Sequence, residues 1–186
     1  GIPSQSGKAS RKGDSYSVTT QALPPSVVFA QSRGYFVPGQ AKALTLNSVN
    51  VKEVDIEFHR LAPQQFANYL PYLMQANSLG QYELQQHFSA ETLVYTGRYR
   101  LQQQANRYAD QQISLDGLAP FTQPGIYIAV LQATASYEYQ RQVTWFSISD
   151  LALSVREYPQ QYQAHIALFS DALAKPNVNV LWLGQK

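Results

Sequence analysis

The stretch that decides the fold runs from Pro124 to Leu153, PGIYIAVLQATASYEYQRQVTWFSISDLAL. Pro124-Gly125 breaks the chain ahead of it. Ile126, Ile128 and Val130 then alternate with Tyr127, Ala129 and Leu131, so a strand here is apolar on both faces and both are expected to be buried. Ala135-Ser136-Tyr137 reads as the tip of a hairpin, and Val143 to Ile148 returns as a second strand. The apolar phase slips between Trp145 and Phe146, the kind of one-residue shift that a β-bulge produces. After Ser149-Asp150 a fresh alternation begins at Leu151, Leu153 and Val155. A closing hairpin that runs straight into a new strand predicts the junction of two β modules.

Upstream of that stretch the β rhythm is already established. Val27-Val28-Phe29 and Tyr35-Phe36-Val37 read as short strands on either side of a turn at Ser32-Arg33-Gly34, and Pro38-Gly39 closes the second. Ala43 to Leu46 and Lys52 to Leu61 follow, with Val54, Ile56 and Phe58 inward and Asp55, Glu57 and His59 outward. The segment from Ala62 to Glu91 breaks the pattern. Phe66, Tyr69, Leu70 and Leu73 recur at helical spacing behind Pro63, a residue suited to a helix start, and Pro71 is expected to kink or split that helix. Asn77-Ser78 is placed to cap a second helical turn carrying Leu79, Tyr82 and Leu84. The spacing predicts a helical insertion lying over a sandwich. Thr92 to Leu101 and Ile113 to Leu118 resume as strands. Seven to nine short strands with frequent turn signals specify an all-β sandwich.

Downstream, Leu151 to Val155, Tyr162 to Leu168 and Val178 to Val180 predict three more strands. Three are too few to close a sandwich of about 100 residues, so the chain is expected to stop inside a second module. At the other end, Gly1 to Ser15 is rich in Gly, Ser and basic residues without apolar period and reads as a disordered leader, closed by Pro24-Pro25.

Composition narrows the functional classes. The 186 residues are 45% hydrophobic, enough for one large domain or one and a half small ones. Only 14% are charged and the formal net charge is +2, with the basic residues scattered, which argues against nucleic acid as a partner. With no Cys there is no disulfide framework, thiolate metal site or Cys nucleophile in these residues. No apolar run approaches the roughly 18 residues of a membrane span, so no membrane contact is expected of this chain, and no secretory leader is read. The neutral polar surface, rich in Gln and Tyr, leans toward a secreted or envelope protein.

Few residues suggest chemistry. Asp55, Glu57 and His59 alternate on one strand face with Cα atoms about 6.6 Å apart per step. A single zinc ion needs ligands about 2 Å away, which one strand does not converge, so a solvated polar face is the better reading. His165, between Ala164 and Ile166, points off the apolar face, and His87 sits beside Gln85 and Gln86 with nothing to activate. No catalytic, cofactor-binding or metal residue is expected, and no enzyme. Tyr95, Tyr99, Tyr108, Tyr127, Tyr137 and Tyr139 would suit a carbohydrate or peptide platform, although Tyr is also a favoured strand residue and packing explains many of them. Arg98, Arg100 and Arg107, interleaved with them, are expected in cross-strand cation–π pairs.

The junction also carries a family resemblance. Trp145-Phe146-Ser147-Ile148-Ser149-Asp150-Leu151-Ala152-Leu153 resembles the segment leading from one macroglobulin-like domain to the next in bacterial α2-macroglobulins. There an aromatic residue and alternating apolar residues precede Ser-Asp-Leu-Gly-Leu, and Ala152 stands where Gly is usual. Ala174-Lys175-Pro176 falls where the family has Gly-Lys-Pro, again with Ala for Gly. Gly34 to Pro38 and Val54 to Leu61 resemble the opening strands of such a domain, so the likeness covers Ser26 to Gly184. It implies a macroglobulin-like, immunoglobulin- or fibronectin-type antiparallel sandwich over residues 16–149, with an insertion at about 62–91 and the start of a second such domain at 150–186. It also implies a periplasmic or envelope protein that traps proteases, whose partners are the neighbouring domains of its parent chain and, through the intact protein, target proteases. The reactive thioester of some members needs Cys-x-Glu-Gln, which this sequence lacks, and nothing in it reads as a bait segment. The piece is therefore expected to be scaffold. The alternative is a free-standing extracellular sandwich that binds carbohydrate or protein through its Tyr face.

Overall fold

The computed structural model describes residues 21–31, 33–66, 68–69, 77–134 and 140–180. The expected leader, the hairpin tip at Ala135 to Tyr137, and Leu70, Pro71 and Leu73 lie outside these. Strands β1 (Ser26–Phe29), β3 (Ala43–Val49) and β7 (Ala109–Ser114) form one sheet in the order β1–β3–β7. The other sheet has the order β2–β9–β8–β4–β6, from β2 (Arg33–Phe36), β4 (Glu53–Leu61), β6 (Leu93–Arg100), β8 (Gly125–Ala133) and β9 (Gln140–Ile148). The short β5 (Ser78–Gly80) adds to β9 beyond β2. All pairings in both sheets are antiparallel except β2 with β9, which is parallel and departs from the all-antiparallel expectation. The chain switches sheets between β1 and β2, which brings β2 alongside β9 in that direction.

One apolar cluster joins the two sheets. Leu44 and Leu46 of β3 and Ile113 of β7 meet Val54, Ile56 and Phe58 of β4, Tyr127 of β8 and Phe146 of β9. The alternation along β4 puts Val54, Ile56 and Phe58 at 0% exposure, as expected. Aromatic rings form the middle. Phe58 meets Phe121 edge-on at 5.0 Å, and Tyr127 stacks on Phe146 at 5.3 Å. The Tyr127 hydroxyl lies 2.8 Å from the carbonyls of Pro120 and Gln123, so a buried ring also fastens the 3₁₀ turn Ala119–Thr122.

The other face of the larger sheet is covered too. Ile128 and Val130 of β8, Val143 and Trp145 of β9, and Leu61 form a second cluster with Leu79 and Leu84, against which Phe66, Tyr69 and Phe88 pack. Leu84 belongs to α1 (Gln81–His87), and residues 63–66 and 68–69 are also helical. The insertion thus lies over the sandwich as its spacing predicts, and β8 is buried on both faces. The same coverage removes the expected bulge. β8 and β9 pair without interruption from Gly125–Ile148 to Leu131–Gln142. Trp145 and Phe146 are both apolar because each faces a different layer, and the ladder's irregularity falls instead in β4–β6 at Phe58/His59.

Other boundaries moved for local reasons. Ser78 is not a helix cap but the first residue of β5; α1 starts after Gly80, whose N–H donates to Glu83 Oε2 at 2.8 Å. Tyr82 is exposed on the far side of that helix. The strand expected at Ile113 to Leu118 ends at Ser114, because Gly117 turns at φ 78° and Pro120 opens the 3₁₀ turn. Beyond the sandwich, β10 (Leu151–Tyr158) and β11 (Gln161–Leu168) form a separate hairpin. No strand forms at Val178 to Val180: Pro176 lacks a donor and Asn177 adopts φ 60°, so only an isolated bridge from Ala174 to Ala167 continues the pairing.

Candidate functional site

The polar row on β4 is the place where chemistry would be sought, and its members are drawn apart. Asp55 accepts two hydrogen bonds from Arg98 on β6, from Nε at 2.7 Å and Nη2 at 2.9 Å. That contact holds the Asp55 carboxyl below its ordinary range. Glu57 lies 3.8 Å from His59 Nε2 and 3.7 Å from Arg141 on β9. Its carboxyl is also held low, by the neighbouring His59 first and by the Arg141 charge after that, against the opposing effect of burial.

His59 itself corrects the expectation of a solvated face. It points to the same side as Asp55 and Glu57, but there the insertion covers the sheet and leaves the residue 4% exposed. Phe88 packs on its ring and Thr92 Oγ1 lies 3.0 Å from Nδ1. A cavity of about 130 Å³ remains between sheet and insertion, lined by Glu57, His59, Leu84, Phe88, Val130 and Arg141 among others. Among the described residues no three His, Cys, Asp or Glu converge as metal ligands. His165 is exposed on β11, as expected. His87 is half-buried in the last turn of α1, 4.9 Å edge-on from the ring of Tyr69.

Among the described residues the Tyr platform does not assemble. Tyr127 is fully buried in the core, Tyr95 and Tyr99 pack against that core from β6, and Tyr108 is exposed by itself on the loop before β7. Tyr137 and Tyr139 lie outside the described residues. The Tyr99 hydroxyl is buried without a hydrogen-bond partner, and burial pushes its pKa up to about 12, with the neighbouring Tyr95 adding to the shift without closing a hydrogen bond. The expected cation–π pairs are replaced by cross-strand ion pairs. Arg98 pairs with Asp55 and Arg100 with Glu53 at 3.1 Å, because β6 registers Arg98 opposite Asp55 and Arg100 opposite Glu53. Arg107 bonds to Gln104.

Three fastenings were invisible in the sequence, since each joins residues far apart along the chain. Asn50 and Asn106, both in the left-handed region at φ 54° and 57°, bond to each other and to the backbone of Leu23. Lys42 is buried and ties its amide and ammonium to Asp116. At the junction, Asp150 binds Ser170 through both carboxylate oxygens, at 2.9 Å to N and 2.8 Å to Oγ, and its carbonyl accepts from the Phe169 N–H. Ser149-Asp150 thereby closes the base of the β10–β11 hairpin.

A sandwich with one face wrapped by an insertion, whose polar groups are spent on holding strands together, defines a structural β module. The model for the bacterial alpha-2 macroglobulin MG2 domain matches residues 28–146. The chain is 29% identical over 170 residues to alpha-2-macroglobulin of Escherichia coli and 31% identical over 177 residues to that of Xylella fastidiosa. Each match takes in 91% of this chain but 10% and 11% of those proteins, so the chain spans about a tenth of their length. Among solved structures, it resembles native E. coli alpha-2-macroglobulin spanning domains MG0-NIE-MG1, with TM-score 0.68 and 27% identity over 85% of this chain and 50% of that one. A piece spanning NIE-MG1 gives 0.67 and 28%, covering 84% and 75%. The chain belongs to the bacterial α2-macroglobulin family. It is a macroglobulin-like β-sandwich piece of such a protein.

Proposed function

We propose that this chain is non-catalytic scaffold in a protease-trapping α2-macroglobulin of the bacterial periplasm or cell envelope, and that residues 150–186 open a second macroglobulin-like domain after the sandwich of residues 16–149. The observation that carries this reading is the length of the likeness. The E. coli match takes in 91% of the chain, which leaves fewer residues unmatched than the 37 that follow Ser149, so it crosses the junction. The hairpin's patterning supports the same view. Leu151, Leu153 and Val155 share one face and are 44%, 58% and 43% exposed, while Ser154, Arg156, Gln163 and His165 share the other. That is how a strand pair looks when the sheet meant to cover it lies further along the chain.

The module's partners are then the neighbouring domains of its parent, and proteases meet the parent as a whole. Among the described residues no helix is long and apolar enough to cross a membrane. A trapping assay tests the reading. The parent protein should shield a bound protease from protein substrates while leaving small substrates accessible, and this chain alone should neither hydrolyse nor protect either kind. Stoichiometric protection by the isolated chain would make it a dedicated inhibitor instead of scaffold.

A further inference from the structure

The buried imidazole of His59 meets two different neighbours, and their hydrogen-bonding capacities determine what the ring can do. Thr92 Oγ1 already donates to the Ser89 carbonyl at 2.9 Å, so toward the ring it can only accept. Nδ1 therefore carries the proton and donates to Thr92 across 3.0 Å. In the neutral ring Nε2 is then a bare acceptor, and it faces another acceptor, Glu57 Oε2, 3.8 Å away beside the small cavity under α1. As long as His59 is neutral, nothing bonds these two atoms. A second proton on the ring turns the same contact into an imidazolium–carboxylate bridge.

The surroundings allow that change. Phe88 packs on the ring and the Glu57 carboxylate stands beside Nε2. Glu57 is partly exposed and can rotate the remaining distance toward Nε2 while its other oxygen keeps Arg141 of β9 at 3.7 Å. From α1 the cavity receives Gln81, Leu84 and Gln85, none of them charged. Glu83 of that helix is committed to the Gly80 amide, and His87 is in ring contact with Tyr69. Further along β4, Asp55 is taken by Arg98.

We propose that Glu57, His59 and Thr92 form an acid-tightened clasp that fastens the insertion around α1 to the outer face of the larger sheet. Proton uptake from solvent at His59 Nε2 joins Glu57 to the ring, and the ring already holds Thr92, whose carbonyl receives the Arg60 amide at 2.8 Å and whose hydroxyl closes the turn after α1. β9, β4 and Thr92, which closes the turn after α1, are then connected through Arg141, Glu57 and His59.

Hydrogen exchange on the whole chain at pH 7.5 and 5.5, corrected for intrinsic rates, tests it. The Phe88 and Arg60 amides, bonded to Leu84 and Thr92, should gain about three- to tenfold in protection at the lower pH. Glu57→Gln and His59→Gln should each abolish that gain, and ¹⁵N spectra of the wild-type ring should show the Nδ1–H tautomer at pH 7.5. Unchanged or reduced protection on acidification, a gain that survives in Glu57→Gln, or an Nε2–H ring would each overturn the clasp. Should His59→Gln fail to fold, Glu57→Gln decides by itself, since that side chain is partly exposed.

Discussion

The Arg98 guanidinium grips Asp55 across the β4–β6 ladder and lowers its carboxyl from an ordinary value of 3.8. A carboxyl depressed in the folded state contributes stability that is present above its unfolded value and disappears as pH falls through the lower, folded one. Asp55→Asn should therefore leave less stability to lose on acidification, read as a smaller drop in the urea midpoint between pH 6 and pH 3. An unchanged drop would mean that the pair does not persist in solution. Tyr99 answers the platform question. Its hydroxyl is buried and unbonded, so Tyr99→Phe should be neutral or stabilise by up to about 1 kcal/mol, whereas Tyr99→Ala should cost about 2–4 kcal/mol. A Tyr99→Ala variant that keeps its stability but loses a ligand found by glycan or peptide array would restore the binding-module reading. None of these roles could be read from residue type: an ion pair depends on which residues β6 places opposite β4, and β-strand registers are not written locally.

β9 shows most directly how an element can be legible and still mislead. Its apolar run marks a buried strand, but Trp145 beside Phe146 suggests a bulge unless both faces are known to be covered. The second cover is the insertion, whose existence is readable from Phe66 and Tyr69 while its internal boundaries are not. β5 is three residues long and takes its shape from pairing with Gln140 to Gln142, and the start of α1 depends on a Glu83 side chain reaching back. The alternating strands β4 and β8 were legible because one or two full periods repeat within each. Two truncations test the double cover. Phe146→Ala and Trp145→Ala should each destabilise by about 3–5 kcal/mol in chemical unfolding, the first by opening the sandwich core and the second by loosening the insertion. A Trp145→Ala variant as stable as the parent chain would mean that the insertion contributes no packing energy to β9.

For the molecule as a whole, the family was readable from order and spacing around Ser149-Asp150, and the structure supplies the physical use of that pair, a closed base for the β10–β11 hairpin. What order and spacing do not convey is whether a second unit is built, because a hairpin has the same alternation whether or not a second sheet covers it. Its exposed row of Leu151, Leu153 and Val155 is an association hazard when nothing packs on it. Hydrogen exchange by mass spectrometry compares the two units in one experiment, on this chain and on one extended through the next stretch of its parent. If the chain is one complete sandwich followed by the opening of another, amides of Leu151 to Leu168 exchange well ahead of those of Val54 to Phe58 and Ile126 to Leu131, and extension slows the first group without changing the others. Equal protection of both regions, with a single cooperative melt that extension leaves alone, would show one closed domain and contradict the two-module architecture.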